Sequence, residues 1–147
     1  KPAAGAEAET SIGVKYADLM DGLTIGAGRM DDGDVAESDT LGVSYTAGSI
    51  TAAYQITKVD YEATGTADQD AVHYGVSVAV NENLSVSAGR QSVDITDAAD
   101  DEINTGMSAS YTMGSIKIAG AFNQVDSGSG IVDRDAESTS LNISFAF

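Results

Sequence analysis

Strict alternation of polar and apolar residues is the feature that most constrains the fold of this 147-residue chain. It is clearest in the last eight residues, Ser-Leu-Asn-Ile-Ser-Phe-Ala-Phe, which end on an aromatic side chain. Successive side chains of a strand point to opposite faces, so such a segment has one apolar and one polar face. The pattern recurs along the chain and predicts nine strands. Their predicted bounds are 10–18, 23–30, 40–46, 50–59, 71–80, 84–93, 105–112, 115–125 and 138–147.

The connections between these segments alternate between short and long. The short ones are turns rich in Gly, Asn and Asp, at 19–22, 47–49, 81–83 and 113–114. The long ones are polar and lie at 31–39, 60–70, 94–104 and 126–137. Successive connections of an up-and-down sheet lie at opposite ends of the sheet. The sequence therefore predicts one end built of tight hairpins and one end built of longer loops.

A hairpin unit also repeats. The segments 23–29 and 84–90 read Leu-Thr-Ile-Gly-Ala-Gly-Arg and Leu-Ser-Val-Ser-Ala-Gly-Arg. Repeated hairpins build an up-and-down sheet, which avoids exposed strand edges by closing on itself.

Composition excludes several classes of protein. The net charge of −16 argues against nucleic acid binding, which requires clustered Lys and Arg. Without cysteine there is no disulfide and no thiolate metal site. No apolar run approaches the ~20 residues of a membrane helix, but the alternating strands of a membrane barrel do not produce such a run. The chain begins at Lys1 without an initiator Met or a signal-peptide core, so we expect either a removed signal or a piece of a longer protein.

The charged residues are distributed unevenly. Of the 23 acidic residues, only Asp18, Asp21 and Glu82 fall at the tight-turn end. Alternate residues of each strand share a parity and form one face. The polar face carries mainly Ser, Thr, Gly, Asn and Gln, which is unlike the Glu/Lys surface of a water-soluble sheet. We therefore expect the apolar face of the strands to contact lipid and the polar face to contact water.

Taken together, the repeated hairpins, the alternating connections and the terminal Ser-Phe-Ala-Phe resemble the C-terminal part of a Gram-negative general-diffusion porin, of the acidic alphaproteobacterial type. The resemblance covers nearly all of residues 10–147. It implies an all-β fold: a transmembrane antiparallel up-and-down β-barrel in the cell outer membrane, with short periplasmic turns and long acidic external loops. Complete bacterial barrels have an even number of strands. We therefore expect about nine strands of a larger, sixteen-stranded barrel, with residues 1–9 as a remnant of an external loop or leader segment.

The resemblance implies passive diffusion of small hydrophilic solutes and ions through a water-filled lumen. It also implies a homotrimer, and we expect close packing at the small outward residues Ala27, Ala52, Ala88 and Gly120. The remaining N-terminal strands, with the constriction loop, would lie outside this sequence. The residues predicted to line the lumen share the polar parity: Lys15, Gln55, His73, Ser87, Gln91, Lys117, Asn123 and Asn142. The residues predicted to form an aromatic girdle at the periplasmic interface share the apolar parity: Tyr16, Tyr45, Tyr111, Phe145 and Phe147.

Three cations have apolar parity near the long-loop end: Arg29, Lys58 and Arg90. A cation at the bilayer midplane costs ~2–4 kcal/mol, and the cost falls towards zero at the interface. We predict that these residues sit at the outer rim and contact lipopolysaccharide phosphates. The alternatives are pairing with Asp39 and Asp70, or burial in a subunit interface.

Catalysis and metal binding have little support in the sequence. The chain has one histidine, His73, and no nucleophile–base pair can be drawn, so no enzyme activity and no required cofactor are expected. Carboxylates in the loops could supply oxygen ligands for weak calcium binding, although solvated, self-repelling loops are the simpler interpretation. These carboxylates are Asp31, Asp32, Asp34, Asp100, Asp101 and Glu102.

Two other classes of protein fit part of the pattern. One is a small eight-stranded outer-membrane barrel that does not conduct, because a barrel of that size fills its interior with side chains. The other is a secreted acidic β-repeat adhesin or structural protein.

Overall fold

A computed structural model describes residues 9–17 and 19–145 of the chain. They form one antiparallel sheet in which each strand pairs with the next one along the chain. The strands are β1 Glu9–Ala17, β2 Leu23–Asp32, β3 Ala36–Ala47, β4 Ile50–Tyr61, β5 Gln69–Ala79, β6 Leu84–Ile95, β7 Glu102–Met113, β8 Ile116–Asp126 and β9 Ala136–Phe145. The nine predicted strands and the up-and-down order are therefore confirmed.

The sheet is an open part of a barrel. Pairing runs from β1 at one edge to β9 at the other, and within the described residues these two edge strands do not pair with each other. The described residues also include one short 3-10 turn, Gly128–Gly130, and they contain no helix that is long and apolar enough to cross a membrane.

Tight connections at one end follow the prediction. Residues 48–49 and 114–115 join their strands, with Gly48 and Gly114 in the left-handed conformation (φ 58° and 59°). Gly22, at φ 77°, lies so close to the next hairpin that an added Cβ would collide with the carbonyl of Thr46. Glycine is required there both for its conformation and for the space. This end of the sheet is called the tight-turn end.

The opposite end, the loop end, differs from the prediction at its first connection. The prediction of a long loop at 31–39 is wrong, because β2 continues to Asp32 and β3 begins at Ala36. Only residues 33–35 remain between the strands. The chain reverses at Gly33 (φ 55°), whose N–H donates to Asp31 Oδ1 at 3.0 Å. Except for Asp34, the acidic residues that indicated a loop are paired strand residues. The other connections at this end span 62–68, 96–101 and 127–135 and are also shorter than predicted.

The described residues contain no hydrophobic core. Their buried side chains are the small or medium-sized Ala36, Ala71, Val93 and Ser127, and none of the large apolar side chains is fully buried. A sheet of this size in water would need to cover its apolar face. The face that carries the apolar residues must therefore meet something other than a dry interior of this chain.

Candidate functional site: the two faces of the sheet

The strand register divides the side chains into a polar face and an apolar face. Directly paired residues of antiparallel strands project to the same side. In four consecutive strands, Gln55 lies opposite His73, His73 opposite Gln91, and Gln91 opposite Asn104. We call the side that carries this row the polar face. The register places the other residues predicted to line the lumen on the same face. These are Lys15, Ser87, Lys117, Asn123 and Asn142.

Hydroxyl groups bridge neighbouring strands across the polar face. Ser85 and Ser87 of β6 lie opposite Ser110 and Ser108 of β7, with Oγ···Oγ distances of 2.9 and 2.8 Å. Thr40 and Thr57 make the same contact between β3 and β4 at 3.1 Å. Short hydroxyl side chains that bond to one another stay close to the sheet, so they leave space above it.

A shallow depression on the polar face brings several predicted residues together. Its volume is about 730 Å³, and its wall includes Gln55, His73, Gln91, Asn104 and Asn123. Asn104 was missed by sequence reasoning, although its parity within β7 was available as a signal. The amide and imidazole groups of this wall offer hydrogen-bond donors and acceptors, and no carboxylate in the wall adds fixed negative charge.

The apolar face is exposed along its whole length. Every exposed large apolar side chain in the nine strands lies on it, except Met30. Exposed fractions reach 69% for Ile12, 60% for Leu41 and 73% for Leu141. An uncovered apolar surface of this extent is typical of contact with lipid or with another protein. The observed arrangement agrees with aliphatic side chains that face acyl chains and small polar residues that face water.

Small residues create two dips in the apolar face. Ala88 and Gly120 share a depression of about 830 Å³ that is bordered by Met107, Phe122 and Leu141. Ala27 lies in a separate one of about 510 Å³. Ala52 is on the same face, in the register row of Ala88.

The aromatic residues of the predicted girdle lie on the apolar face near the tight-turn end. Tyr16, Tyr45 and Tyr111 come within two residues of the ends of their strands, Phe145 ends β9, and all four are exposed. Phe147 lies outside the described residues. Sequence reasoning missed an additional aromatic pair on the same face, Tyr54 and Tyr74, which oppose each other in β4 and β5.

Two of the three cations predicted at the outer rim, Arg29 and Lys58, lie in one register row. Arg29, Asp39, Lys58 and Asp70 occupy successive positions of one register row on the apolar face. The Arg29 guanidinium lies 2.5 Å from Glu37 and 3.7 Å from Asp39, and Lys58 Nζ lies 2.9 Å from Asp70. Pairing with Asp39 and Asp70, the stated alternative, is therefore present. Contact with lipopolysaccharide phosphate remains a prediction.

Arg90 does not belong to that row. It lies between Tyr74 and Thr105 in the register, four positions nearer the tight-turn end than Asp94, the member of the row on β6. No salt bridge reaches it from the described residues. Parity gives the face of a residue but not its register row, and the position of Arg90 at the outer rim stays a prediction.

The loop carboxylates proposed for calcium do not gather into a cluster. Within residues 9–17 and 19–145, no three His, Cys, Asp or Glu side chains are close enough to hold a metal ion. Asp31 and Asp100 accept hydrogen bonds from backbone N–H groups of their own turns, and Asp100 also accepts from Ser127. Calcium binding by these loops remains an untested prediction.

Glu102 accepts two short hydrogen bonds at the loop end. Its Oε2 accepts the Ser129 N–H at 2.6 Å, and its Oε1 accepts from Asn104 Nδ2 at 2.7 Å. These two hydrogen bonds, in that order of importance, lower the pKa of Glu102 below its ordinary value of 4.5. Glu102 is the first residue of β7 at the loop end, and it lies on the polar face.

Comparison with known proteins decides among the classes left open by the sequence. A family model described as Gram-negative porin matches residues 2–106, which is most of the chain. The chain belongs to the Gram-negative porin family. This membership places the chain in the outer membrane and argues against a secreted repeat protein. His73 lies between two glutamines in the register, and in the described part of the chain no hydroxyl or carboxylate is hydrogen-bonded to it.

The fold of the porin is also found among solved structures. It is similar to the crystal structure of OccAB4 from Acinetobacter baumannii, with a TM-score of 0.78 and 10% sequence identity. The match covers 97% of this chain and 44% of OccAB4, so the chain spans less than half the length of that protein. A search of curated proteins found no match.

Proposed function

We propose that the complete porin lets small hydrophilic solutes and ions diffuse passively through a water-filled lumen, with the polar face of this chain as part of the wall. One observation carries the proposal: the register puts Gln55, His73, Gln91 and Asn104 side by side on one face, while the opposite face exposes Leu, Ile, Val and Tyr. A membrane barrel with a hydrated interior requires this division.

The proposal includes further strands that complete the barrel wall. Nine strands with two unpaired edges leave backbone N–H and C=O groups of β1 and β9 without partners in the described residues, and such groups are costly in hydrocarbon. Further strands, supplied N-terminally in a sixteen-stranded barrel, would satisfy them. The apolar dips around Ala27 and Ala88 support close packing of three copies, since small side chains let two surfaces approach each other.

Charge gives the expected ion preference. The chain carries a net charge of −16, and many of its carboxylates lie at the loop end. A mouth lined by one sign of charge concentrates counter-ions. We expect cations to enter more readily than anions, and we expect the preference to weaken as salt screens the loops.

Reconstitution tests the proposal. The full-length porin is inserted into planar bilayers, and conductance, reversal potential in a salt gradient and uptake of neutral sugars by liposomes are measured. Open channels with a cation preference are expected. A heat-modifiable, folded protein that inserts but does not conduct would contradict the proposal and favour the non-conducting anchor.

A further inference from the structure

The connection between β8 and β9, residues 127–135, does not stand straight up from the sheet. It folds back over β7 as far as β6, and its centre is Gly130, which is buried and left-handed (φ 69°). A Cβ on Gly130 would collide with Ala98 and would lie 3.7 Å from Ile95 Cδ1. This connection, called the folded loop, therefore rests directly on the β6–β7 connection.

Two hydrogen bonds fasten the folded loop to its neighbours. The Ser129 N–H donates to Glu102 Oε2 at 2.6 Å, and Ser127 Oγ donates to Asp100 Oδ2 at 3.0 Å. Inside the loop the Gly128 N–H donates to the Arg134 carbonyl at 2.7 Å, which closes its base. Hydrogen bonds to carboxylates are among the stronger ones, so this position of the loop is well defined.

The anchors show on which side of the sheet the folded loop lies. Glu102 pairs with Val93, and Ile95 pairs with Gln69, and the register assigns all four residues to the polar face. Val93 is 7% exposed, in contrast to the open middle of the same face. The folded loop thus leans over the side that carries Gln91 and Asn104, and away from the apolar face.

We propose that the folded loop narrows the loop-end mouth of the channel and sets the largest solute that can enter there. This inference rests on the proposed function, because it takes the polar face as the wall of the lumen. The outer part of the folded loop includes Ile131 and Val132, both about half exposed, followed by Arg134. Arg134 attracts Glu102 electrostatically, so charges of both signs border this side of the mouth.

A single introduced cysteine tests the placement, because this chain contains no other. In the full-length porin, Ser129→Cys is modified with a bulky methanethiosulfonate reagent while single-channel current is recorded. The matched control is Thr64→Cys, an exposed residue of the 62–68 connection, which bonds instead to Val35 and Thr96. We expect modification to reduce the current of the Ser129 variant and to leave that of the control unchanged.

Shortening the loop tests the size limit. Residues 128–134 are replaced by a two-residue Asn-Gly turn, and residues 63–67 are replaced in the same way as the control. The readouts are conductance and the largest polyethylene glycol that enters the channel. We expect both to increase only in the first variant, with heat-modifiable migration showing that each variant folds.

The outcomes separate this inference from the proposed function. A wild-type porin without conductance overturns the function itself. A conducting porin in which Ser129→Cys is labelled, as shown by its mass, without any loss of current overturns the inference alone. An unchanged size limit after shortening of the loop overturns it as well.

Discussion

Lys58 Nζ lies 2.9 Å from Asp70 Oδ2, and the two residues are directly opposite each other in β4 and β5. Asp39 precedes Lys58 in the same row and Arg29 precedes Asp39, so four neighbouring strands carry charges of alternating sign. Opposite charges in directly paired positions favour one register over its neighbours. The row lies near the loop end of the apolar face, where paired charges are tolerated more readily than at the bilayer midplane.

Reversing one member of the pair is expected to weaken assembly. Lys58→Asp places two carboxylates opposite each other, and Asp70→Lys places two ammonium groups there. Each single variant should show a lower temperature of heat-modifiable unfolding. The double exchange should recover only part of the loss, because the carboxylate at position 58 still lies opposite Asp39. The loss should be modest because both side chains are more than half exposed. Equal losses in the single and double variants would show that the pair contributes nothing.

Lysine substitutions on the two faces distinguish lipid from water. Leu41 lies in the middle of β3 on the apolar face, and Ser44 lies in the same strand on the polar face. Leu41→Lys should cost about 2–4 kcal/mol if that position is near the bilayer midplane, whereas Ser44→Lys should cost far less.

Unfolding from lipid vesicles in denaturant measures both values. On a protein whose Leu41 faced water, the substitution would be harmless or would improve solubility. A similar cost at Leu41 and Ser44 would therefore contradict the assignment of the faces.

The two faces were predictable because the period of a strand is fixed. Gln55 is flanked by Tyr54 and Ile56, and His73 by Val72 and Tyr74. Since successive side chains of a strand alternate, this is enough to place both residues on the polar side. The row that joins them to Gln91 and Asn104 was not predictable with the same certainty, since it depends on the pairing register, and turn residues define register only locally. Arg90 shows the consequence: alternation placed it on the apolar face, but only the register shows that it lies outside the row of Arg29 and Lys58.

The loop end was less predictable than the strands. Charged residues such as Glu37 and Asp39 read as loop, but cross-strand pairing with Arg29 makes them strand residues. The folded loop left only a weak signal, the run Ser127-Gly-Ser-Gly130, whose left-handed residues allow the chain to turn sharply. Its contacts with Asp100 and Glu102 join segments that are distant in the sequence, and no local pattern encodes them.

Glutamate substitutions at two glutamines are expected to change ion selectivity differently. Gln91 lies on the polar face within the row of amides, and Gln124 lies on the apolar face of β8. A carboxylate in the lumen wall attracts cations along the pathway, so Gln91→Glu should shift the reversal potential towards greater cation selectivity. Gln124→Glu, an identical chemical change outside the pathway, should leave it unchanged. If the two variants shift the reversal potential equally, the charge acts through the bulk surface and Gln91 does not line the channel.

Acid is expected to release the folded loop through Glu102. The Ser129 N–H and then the Asn104 amide lower the pKa of this carboxyl below 4.5, so its ionised form is the one that anchors the loop. For a group whose pKa is lower in the folded state, the stabilisation is complete above the ordinary value and is lost as the pH falls through the lowered value.

Single-channel conductance should therefore stay constant from neutral pH down to about 5 and should rise only below about 4.5, the ordinary pKa of the carboxyl. The rise should be smaller in Glu102→Gln, which has no carboxyl to titrate. Glu137→Gln, an exposed acid on the apolar face of β9, serves as the control and should behave like the wild type. A conductance that rises between pH 7 and pH 5, or a wild-type response that survives in Glu102→Gln, would assign the acid sensitivity to other groups, because the lowered pKa of Glu102 lies below that range.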